Sequence, residues 1–394
     1  MNIKLAIVVS HPIQHFCPQY ASYAQLDNVK VKVFFASTIG MKPYKDMEFQ
    51  QEVKWGNLYF NEFDHVFVNG ESELPVDASI DSPNLEKELE DYEPNAVVIY
   101  GYFQKYQRRA YRWAVKRGLK IFYISDSELM HQKAFGLSVL KKQFLVNYFR
   151  KISAFLSVGD SNEDYYKYHK VSLKKMHRTS FPIDVKVYDA ALAKRVQLVE
   201  KVRLKYNISS IDFVVSTVGK LISIKSQLDV INALIKLDQF QSRRIIYLVI
   251  GSGPDLEKLE TLARRLKFHQ VIFTGFTSPE DLPAFYMASS LYIQPSKTER
   301  HSLAVSEAIY SGCPILLSGN CGSYGPSDDV QAGFNGFVYD YGKVNMLAFY
   351  LKQVMINDSL QHLFSENSSS LGLKHQEQAH KQGLLSAINA NLIA

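Results

Sequence analysis

Short runs of β-branched and aromatic residues recur along the chain, separated by longer segments whose apolar positions repeat at helical spacing. Residues 4–9, 29–35, 96–100, 120–124, 155–158, 213–218, 244–250, 271–274, 291–293 and 314–317 predict strands. Most of these runs are apolar throughout, as expected of strands covered on both faces of a parallel sheet. Residues 105–117, 138–151, 226–237, 255–266, 279–288 and 303–310 predict the crossover helices. The alternation appears twice, over about 1–180 and 210–350. Between them, 181–210 carries Pro182 and continues as charged, helix-like sequence, so it reads as a connection rather than core. The fold class is therefore α/β, with two doubly wound domains, 1–186 and 187–374, facing a central cleft. The last segment, 375–394, is polar with one apolar helical stripe and is a candidate completion of the first domain. In such sheets ligands bind beyond the carboxyl ends of the strands.

Composition agrees with a folded chain: 46% of the 394 residues are apolar, including 24 Phe and 24 Tyr. The net charge of +6 hides an uneven distribution, because 101–210 holds 23 Lys/Arg against 8 Asp/Glu. That stretch would attract a phosphorylated acceptor, an anionic membrane surface or nucleic acid; equally, it is a solvated face balanced by the acidic 46–93. Cys17, Cys313 and Cys321 are too few and too scattered for a disulfide framework or a zinc site. No apolar run reaches membrane-spanning length, and a strand-like segment begins at once without a cleavable leader. The expected location is cytoplasmic, with peripheral attachment to the inner face of the membrane as a further option.

Three features of the C-terminal half carry chemistry. The predicted strand 213–218 ends at Gly219, followed by Lys220 and Lys225, two ammonium groups placed to meet a diphosphate or simply solvated. Gly251 and Gly253, before Pro254, lie between a strand and a helix, where free amides bind anions and where tight turns also occur for structural reasons. Glu299 precedes a helix whose first amides, Leu303 and Ala304, face an oxyanion site, and Glu307 follows on that helix. Glu299 and Glu307 read either as ligands of hydroxyls or as a loop cap and an exposed helix residue.

Together these features resemble the retaining, GT-B-fold glycosyltransferases of family 4. The correspondence runs through Gly219-Lys220 with Lys225, Gly251–Pro254, Gly275-Phe276, Pro295-Ser296, Glu299-x7-Glu307, Gly312-Cys313-Pro314 and Asn335-Gly336. It is strong from about 213 to 339 and looser over the N-terminal half. The resemblance implies a nucleotide-sugar donor whose diphosphate is held by Lys220, Lys225 and the Leu303 and Ala304 amides. It implies that Glu299 meets the transferred sugar, Glu307 the ribose, and Phe276 the base. Two positions depart from the pattern. Lys220 replaces the commoner Arg, and Arg300-His301-Ser302 replaces Gly-Phe-Gly after the first Glu, which leaves the donor open.

In the N-terminal half, Ser10-His11-Pro12-Ile13-Gln14 follows the first strand. It is similar to a loop in family-4 enzymes of bacterial surface-polysaccharide synthesis. His11 and Gln14 are acceptor-side candidates, or Ser10 and His11 cap the next helix. Trp55, Phe63 and Phe67 fit the same loose pattern but suit packing as well. Asp126 follows the strand 120–124 and is either a carboxylate at the reaction centre or another helix cap; His131, close behind, is a weaker acceptor candidate. No Asp-x-Asp metal motif occurs, so the expected reaction needs neither metal nor cofactor. The resemblance then implies a glycan or polyprenyl-diphosphate-linked acceptor. A nucleotide-sugar epimerase of the same fold is the competing enzyme reading. A basic nucleic-acid or interaction protein is the non-enzyme one, although no nucleic-acid-binding motif is present.

Overall fold

The computed structural model describes residues 2–41, 44–46, 51–53, 56–130 and 135–393. The chain divides into two compact units, one of Met1–Tyr44, Lys54–Asp184 and His375–Ala394, the other of Lys45–Val53 and Val185–Lys374.

The first unit is built on a seven-stranded, wholly parallel sheet. Its spatial order is Asp64–Phe67, Val29–Phe35, Ile3–Val9, Ala96–Tyr100, Lys120–Ile124, Ala154–Ser157, Met176–Arg178. Alternation along Ile3–Val9 shows why the strand is apolar throughout. Leu5, Ile7 and Val9 join one core, whereas Ala6 and Val8 join another on the opposite face. The second core contains Tyr106, Ala110, Trp113 and Ala114, the buried stripe of helix Lys105–Lys116. The first contains Tyr20 and Ala21 of helix Cys17–Ala24 together with Leu384, Ala387 and Ile388 from the chain's end. Polar contacts seat that end. Gln376 accepts a hydrogen bond from the Ile183 amide (2.9 Å), and Gln19 and Tyr23 both donate to the Ala379 carbonyl.

The second unit has six parallel strands in the order Gln270–Gly275, Ile245–Ile250, Phe213–Val218, Leu291–Gln294, Ile315–Ser318, Gly336–Tyr339. Chain order reverses between Phe213–Val218 and Leu291–Gln294, so the crevice beyond their carboxyl ends is the natural ligand position of this unit. Phe213 and Val215 face a core with helices Gln227–Leu237 and Val344–Ile356. Val214 faces another core, with Val202, Ile208 and Phe285.

That second packing corrects the reading of 181–210 as a bare connection. Helices Val185–Leu192 and Arg195–Lys205 occupy it, and Tyr188, Val202 and Ile208 are buried. Helix Arg195–Lys205 carries apolar residues on several faces, Val196 and Leu204 lying 71% and 83% exposed, so its sequence has no amphipathic stripe that marks it as packed. No helix among the described residues is long and apolar enough to cross a membrane.

Candidate functional site

At the reversal point of the second unit, two strand ends are pressed backbone to backbone. Gly219, Gly251 and Gly253 all have positive φ (+144°, +142° and +156°). A Cβ on Gly251 would stand 2.0 Å from the Gly219 carbonyl oxygen, and one on Gly253 would stand 2.6 Å from that of Leu221. The amides of Gly219, Leu221 and Gly251 donate to Ile250, Ser252 and Gly275 carbonyls (2.9 Å each). Gly251 and Gly253 therefore have a steric reason to be present, whereas a Cβ on Gly219 would meet only Lys225 Cε at 4.0 Å, and there the positive φ alone favours glycine. Phe276, half-buried, follows Gly275 at the end of the neighbouring strand.

The apposed loops deliver the charged groups. Gln227 donates to the Lys220 carbonyl (3.0 Å), and Lys225 ends the short 3-10 turn Ser223–Lys225. Both lysines are half-buried. Lys225 Nζ is paired with Glu299 Oε2, which also accepts a hydrogen bond from Ser296 Oγ (3.2 Å). Behind Ser296 lies a buried relay. Tyr292 donates to Gln294 Oε1 (2.6 Å), and Gln294 Nε2 donates to Ser296 Oγ (2.7 Å). A carboxylate held by a hydroxyl and an ammonium has few alternative rotamers left, so Glu299 is oriented before any ligand arrives. The sequence pointed to Lys225 and Glu299 but missed Tyr292, inside the expected strand 291–293, and Gln294, just beyond it, where the strand Leu291–Gln294 in fact ends.

Helix Leu303–Tyr310 begins after Ser302, whose carbonyl accepts from the Val305 and Ser306 amides (3.0 and 3.3 Å). Leu303 and Ala304 occupy the first turn, where amides lie beyond the reach of intrahelical acceptors. Two turns along, Glu307 is half-buried and accepts a hydrogen bond from Tyr286 Oη (2.8 Å). Burial pushes its carboxyl up to about 7, while hydrogen bonds from Tyr286 and Tyr188 pull the other way. It is not the solvated helix residue of the blander reading.

His301 is buried beside Asp328 and Asp329, with Nε2 3.3 Å from Asp328 Oδ1 and 3.7 Å from Asp329 Oδ2. Ser306 donates to Asp329 (2.6 Å). The ligand-type atoms of His301, Asp328 and Asp329 all lie within 4.8 Å, making this a set of metal-ligand types among the described residues. Neither aspartate was singled out from the sequence, because 26 intervening residues separate His301 from Asp328.

In the first unit, Ser10 Oγ hydrogen-bonds His11 Nδ1 (2.9 Å), and the Ser10 carbonyl accepts from the Ala36 and Ser37 amides. The following helix starts at Cys17 with Phe16 at its cap and no side-chain capping bond, so Ser10 and His11 do not cap it. Burial lowers His11 to about 4, leaving a neutral imidazole at pH 7. Gln14 is half-buried, and His15 stacks on Phe181 with ring centres 5.2 Å apart. Asp126 is exposed beyond strand Lys120–Ile124, whereas Glu128, two residues on, is buried. Phe63 packs edge-on against Tyr20, and Phe67 stacks on Phe35. His131 and Trp55 lie outside the described residues.

Residues 199–370 match the family model described as glycosyl transferases group 1. An uncharacterised glycosyltransferase of Methanocaldococcus jannaschii is 28% identical over 155 residues, covering 39% of this chain and 38% of that protein. The matches to the first curated relatives span less than two fifths of those relatives' length. Across its whole length the fold is similar to that of a glycosyltransferase from Rickettsia africae (TM-score 0.73, 14% identity, 99% of that chain covered). It is also similar to Anabaena HepE in complex with UDP (TM-score 0.72, 15% identity, both chains covered completely). The fold is GT-B, with two Rossmann-like parallel-sheet units. Residues 199–370 are thus similar to glycosyl transferases group 1, and the fold of the whole chain is similar to that of these two structures.

Proposed function

We propose that this chain transfers a sugar from a nucleoside-diphosphate donor to a hydroxyl of a glycan or lipid-linked acceptor, with retention, in surface polysaccharide synthesis. The observation that carries the reading is the meeting of Lys225 and Glu299 beside the Leu303–Ala304 helix start, at the strand reversal of the matched segment. Ammonium groups and helix amides are suited to a diphosphate whose charge grows as the glycosidic bond breaks. The pre-oriented Glu299 is suited to sugar hydroxyls, Glu307 to the ribose and Phe276 to the base.

In this reading Lys220, Lys225 and the two amides neutralise the leaving group, with no metal required. The bond from the anomeric carbon to the phosphate oxygen breaks while the acceptor oxygen bonds to the same face. The acceptor proton passes to the departing phosphate oxygen. Asp126 steadies the acceptor or the positive charge developing on the sugar, and His11, Gln14 and His131 contact the acceptor. The basic first unit favours a phosphorylated or polyprenyl-diphosphate carrier.

A thermal-shift screen of UDP-, GDP-, ADP- and CDP-linked sugars identifies the donor, followed by mass analysis of products with and without a glycan acceptor. The expected result is a selective shift for one base, lost in Lys225→Ala, and sugar transfer to the acceptor. No shift with any nucleotide sugar, or an epimerised donor without transfer, would remove the proposal.

A further inference from the structure

We infer that Tyr286 is a positioning residue for the nucleoside end of the donor, its hydroxyl holding one oxygen of Glu307 so that the carboxylate is set to accept the ribose diol. This inference rests on the donor site proposed above and deepens it, because it concerns how Glu307 is prepared rather than whether a nucleotide binds.

Glu307, on helix Leu303–Tyr310, is surrounded by tyrosines from three other elements. Tyr286 of helix Leu282–Ala288 donates to Glu307 Oε2 (2.8 Å). The Tyr188 hydroxyl, from helix Val185–Leu192, hydrogen-bonds the same carboxyl. Tyr292 of strand Leu291–Gln294 has its ring 5.5 Å from that of Tyr286 and donates to Gln294. The charge on helix Val185–Leu192 nearest in sequence to Tyr188 is Asp189, which accepts from Tyr310 Oη (2.7 Å). Arg195 reaches the Ser311 carbonyl (3.4 Å). Among the described residues no Lys, Arg or His is paired with Glu307. Its carboxylate form is therefore supported by phenol hydroxyls rather than by a cation.

Tyr286 is well fixed for this task. Its side chain is wholly buried, and Glu307 is the hydrogen-bond partner of its hydroxyl. Its ring packs with those of Tyr188 (6.4 Å) and Tyr292, and its carbonyl accepts from Cys313 Sγ (2.9 Å) and the Ser289 amide (3.0 Å). Tyr188 in turn stands edge-on to Tyr310 (6.1 Å, 86°), the last residue of the helix that carries Glu307.

An ionised carboxylate can accept about four hydrogen bonds. Tyr286 supplies one, which restrains the plane of the group and leaves capacity for two adjacent hydroxyls of a ribose. A hydrogen bond to the charged form also favours that form, against the burial that disfavours it. With the Tyr286 hydroxyl removed, the carboxyl would hold its proton more tightly and accept less well. Tyr286 thus acts on the donor through Glu307 and not by a contact of its own.

The test follows Kd for UDP-glucose and its 2′-deoxyuridine counterpart between about pH 6 and 8.5 in wild type, Tyr286→Phe and Glu307→Gln. GDP-mannose and its 2′-deoxyguanosine counterpart take their place if the wild type prefers guanine. Tyr286→Phe keeps the ring and its packing. From a carboxyl near 7, a proton held about tenfold more tightly weakens the ribose donor about fivefold at pH 7 but less than about twofold at pH 8.5. The preference for ribose over deoxyribose falls at pH 7 and returns at pH 8.5, whereas Glu307→Gln has neither the slope nor the recovery. A merely structural role for Tyr286 would weaken binding by the same factor at every pH, and that result overturns the inference. So does a wild-type profile in a folded Tyr286→Phe, while the donor site itself would stand. Should Tyr286→Phe not fold, Tyr286→3-fluorotyrosine supplies a stronger donor of nearly the same size. Its profile is expected to move to lower pH, and an unmoved profile overturns the inference. A wild type that binds no nucleotide sugar removes the donor site and this inference with it.

Discussion

At the scale of single residues, the site's most informative group is Glu307. Its carboxyl is held near 7 by burial, so at neutral pH it is close to half protonated in the empty protein. For folding, a raised carboxyl pKa means that the native state keeps protons the unfolded chain has lost. Stability from this group is therefore fully present below about 4.5 and declines as pH rises through 7. Binding has the opposite sign. In the donor complex proposed above, ribose hydroxyls would donate to the carboxylate form, so the donor would favour deprotonation and its affinity would rise with pH. Under this hypothesis a nucleotide sugar, whose own phosphates do not titrate in this range, binds about tenfold more tightly at pH 8 than at pH 6. Glu307→Gln flattens the profile and weakens binding at pH 8. Calorimetric titration at the two pH values decides it, and a sloped profile in the Gln variant would assign the titration to another group. Glu299, Lys225 and Glu307 were readable from motif order. What orients Glu299 was not: a Gln inside an apolar strand carries no local mark of the Tyr292–Gln294–Ser296 relay.

At the scale of elements, the strands and crossover helices followed from pattern because buried parallel strands are apolar on both faces. The short strands Asp64–Phe67, Met176–Arg178 and Gly336–Tyr339 escaped, since three or four mixed residues at a sheet's margin offer too little periodicity. Strand order was equally out of reach, because pairing joins segments dozens of residues apart. The glycines at the strand ends illustrate how one residue type serves two purposes. From sequence, Gly251 suggested an anion-binding turn; its packing supplies a separate, steric requirement. Gly251→Ala forces a Cβ into the Gly219 carbonyl and is expected to cost about 3 kcal/mol or more, through overpacking and strain together. Gly333→Ala is the control. It shares a positive φ (+80°) but has nothing within 4 Å of its added Cβ, so it should cost about 1 kcal/mol. Urea unfolding of both variants measures the difference, and equal losses would mean that the close approach at Gly251 relaxes without penalty.

At the scale of the whole molecule, a net charge of +6 coexists with a strongly basic 101–210, and that stretch lies mostly within the first unit. Helix Phe135–Arg150 shows how the charge is presented. Leu145, Val146, Tyr148 and Phe149 are buried, so they anchor the helix to its core. Leu140 and Phe144, one helical turn apart, remain 76% and 49% exposed beside exposed Lys141, and Phe103 is 66% exposed. Lys142 is engaged differently, its ammonium lying 3.5 Å from the centre of the Tyr168 ring. Apolar side chains left in water beside cations are the composition that adsorbs to an anionic bilayer, where each basic residue contributes about 1 kcal/mol and salt weakens the attraction. We therefore predict that the wild type sediments with vesicles rich in anionic lipid at low salt, less so at physiological salt, and not with neutral vesicles. Leu140→Ser/Phe144→Ser should reduce that binding severalfold with thermal stability unchanged, because both side chains are already largely in water. Lys141→Glu should act in the same direction and steepen the salt dependence of what remains. If the wild type ignores anionic vesicles, or the double variant binds as well as it does, this face has no membrane role and a soluble acceptor becomes the better reading. The donor site proposed for the second unit would be unaffected, since none of the substituted residues belongs to that unit.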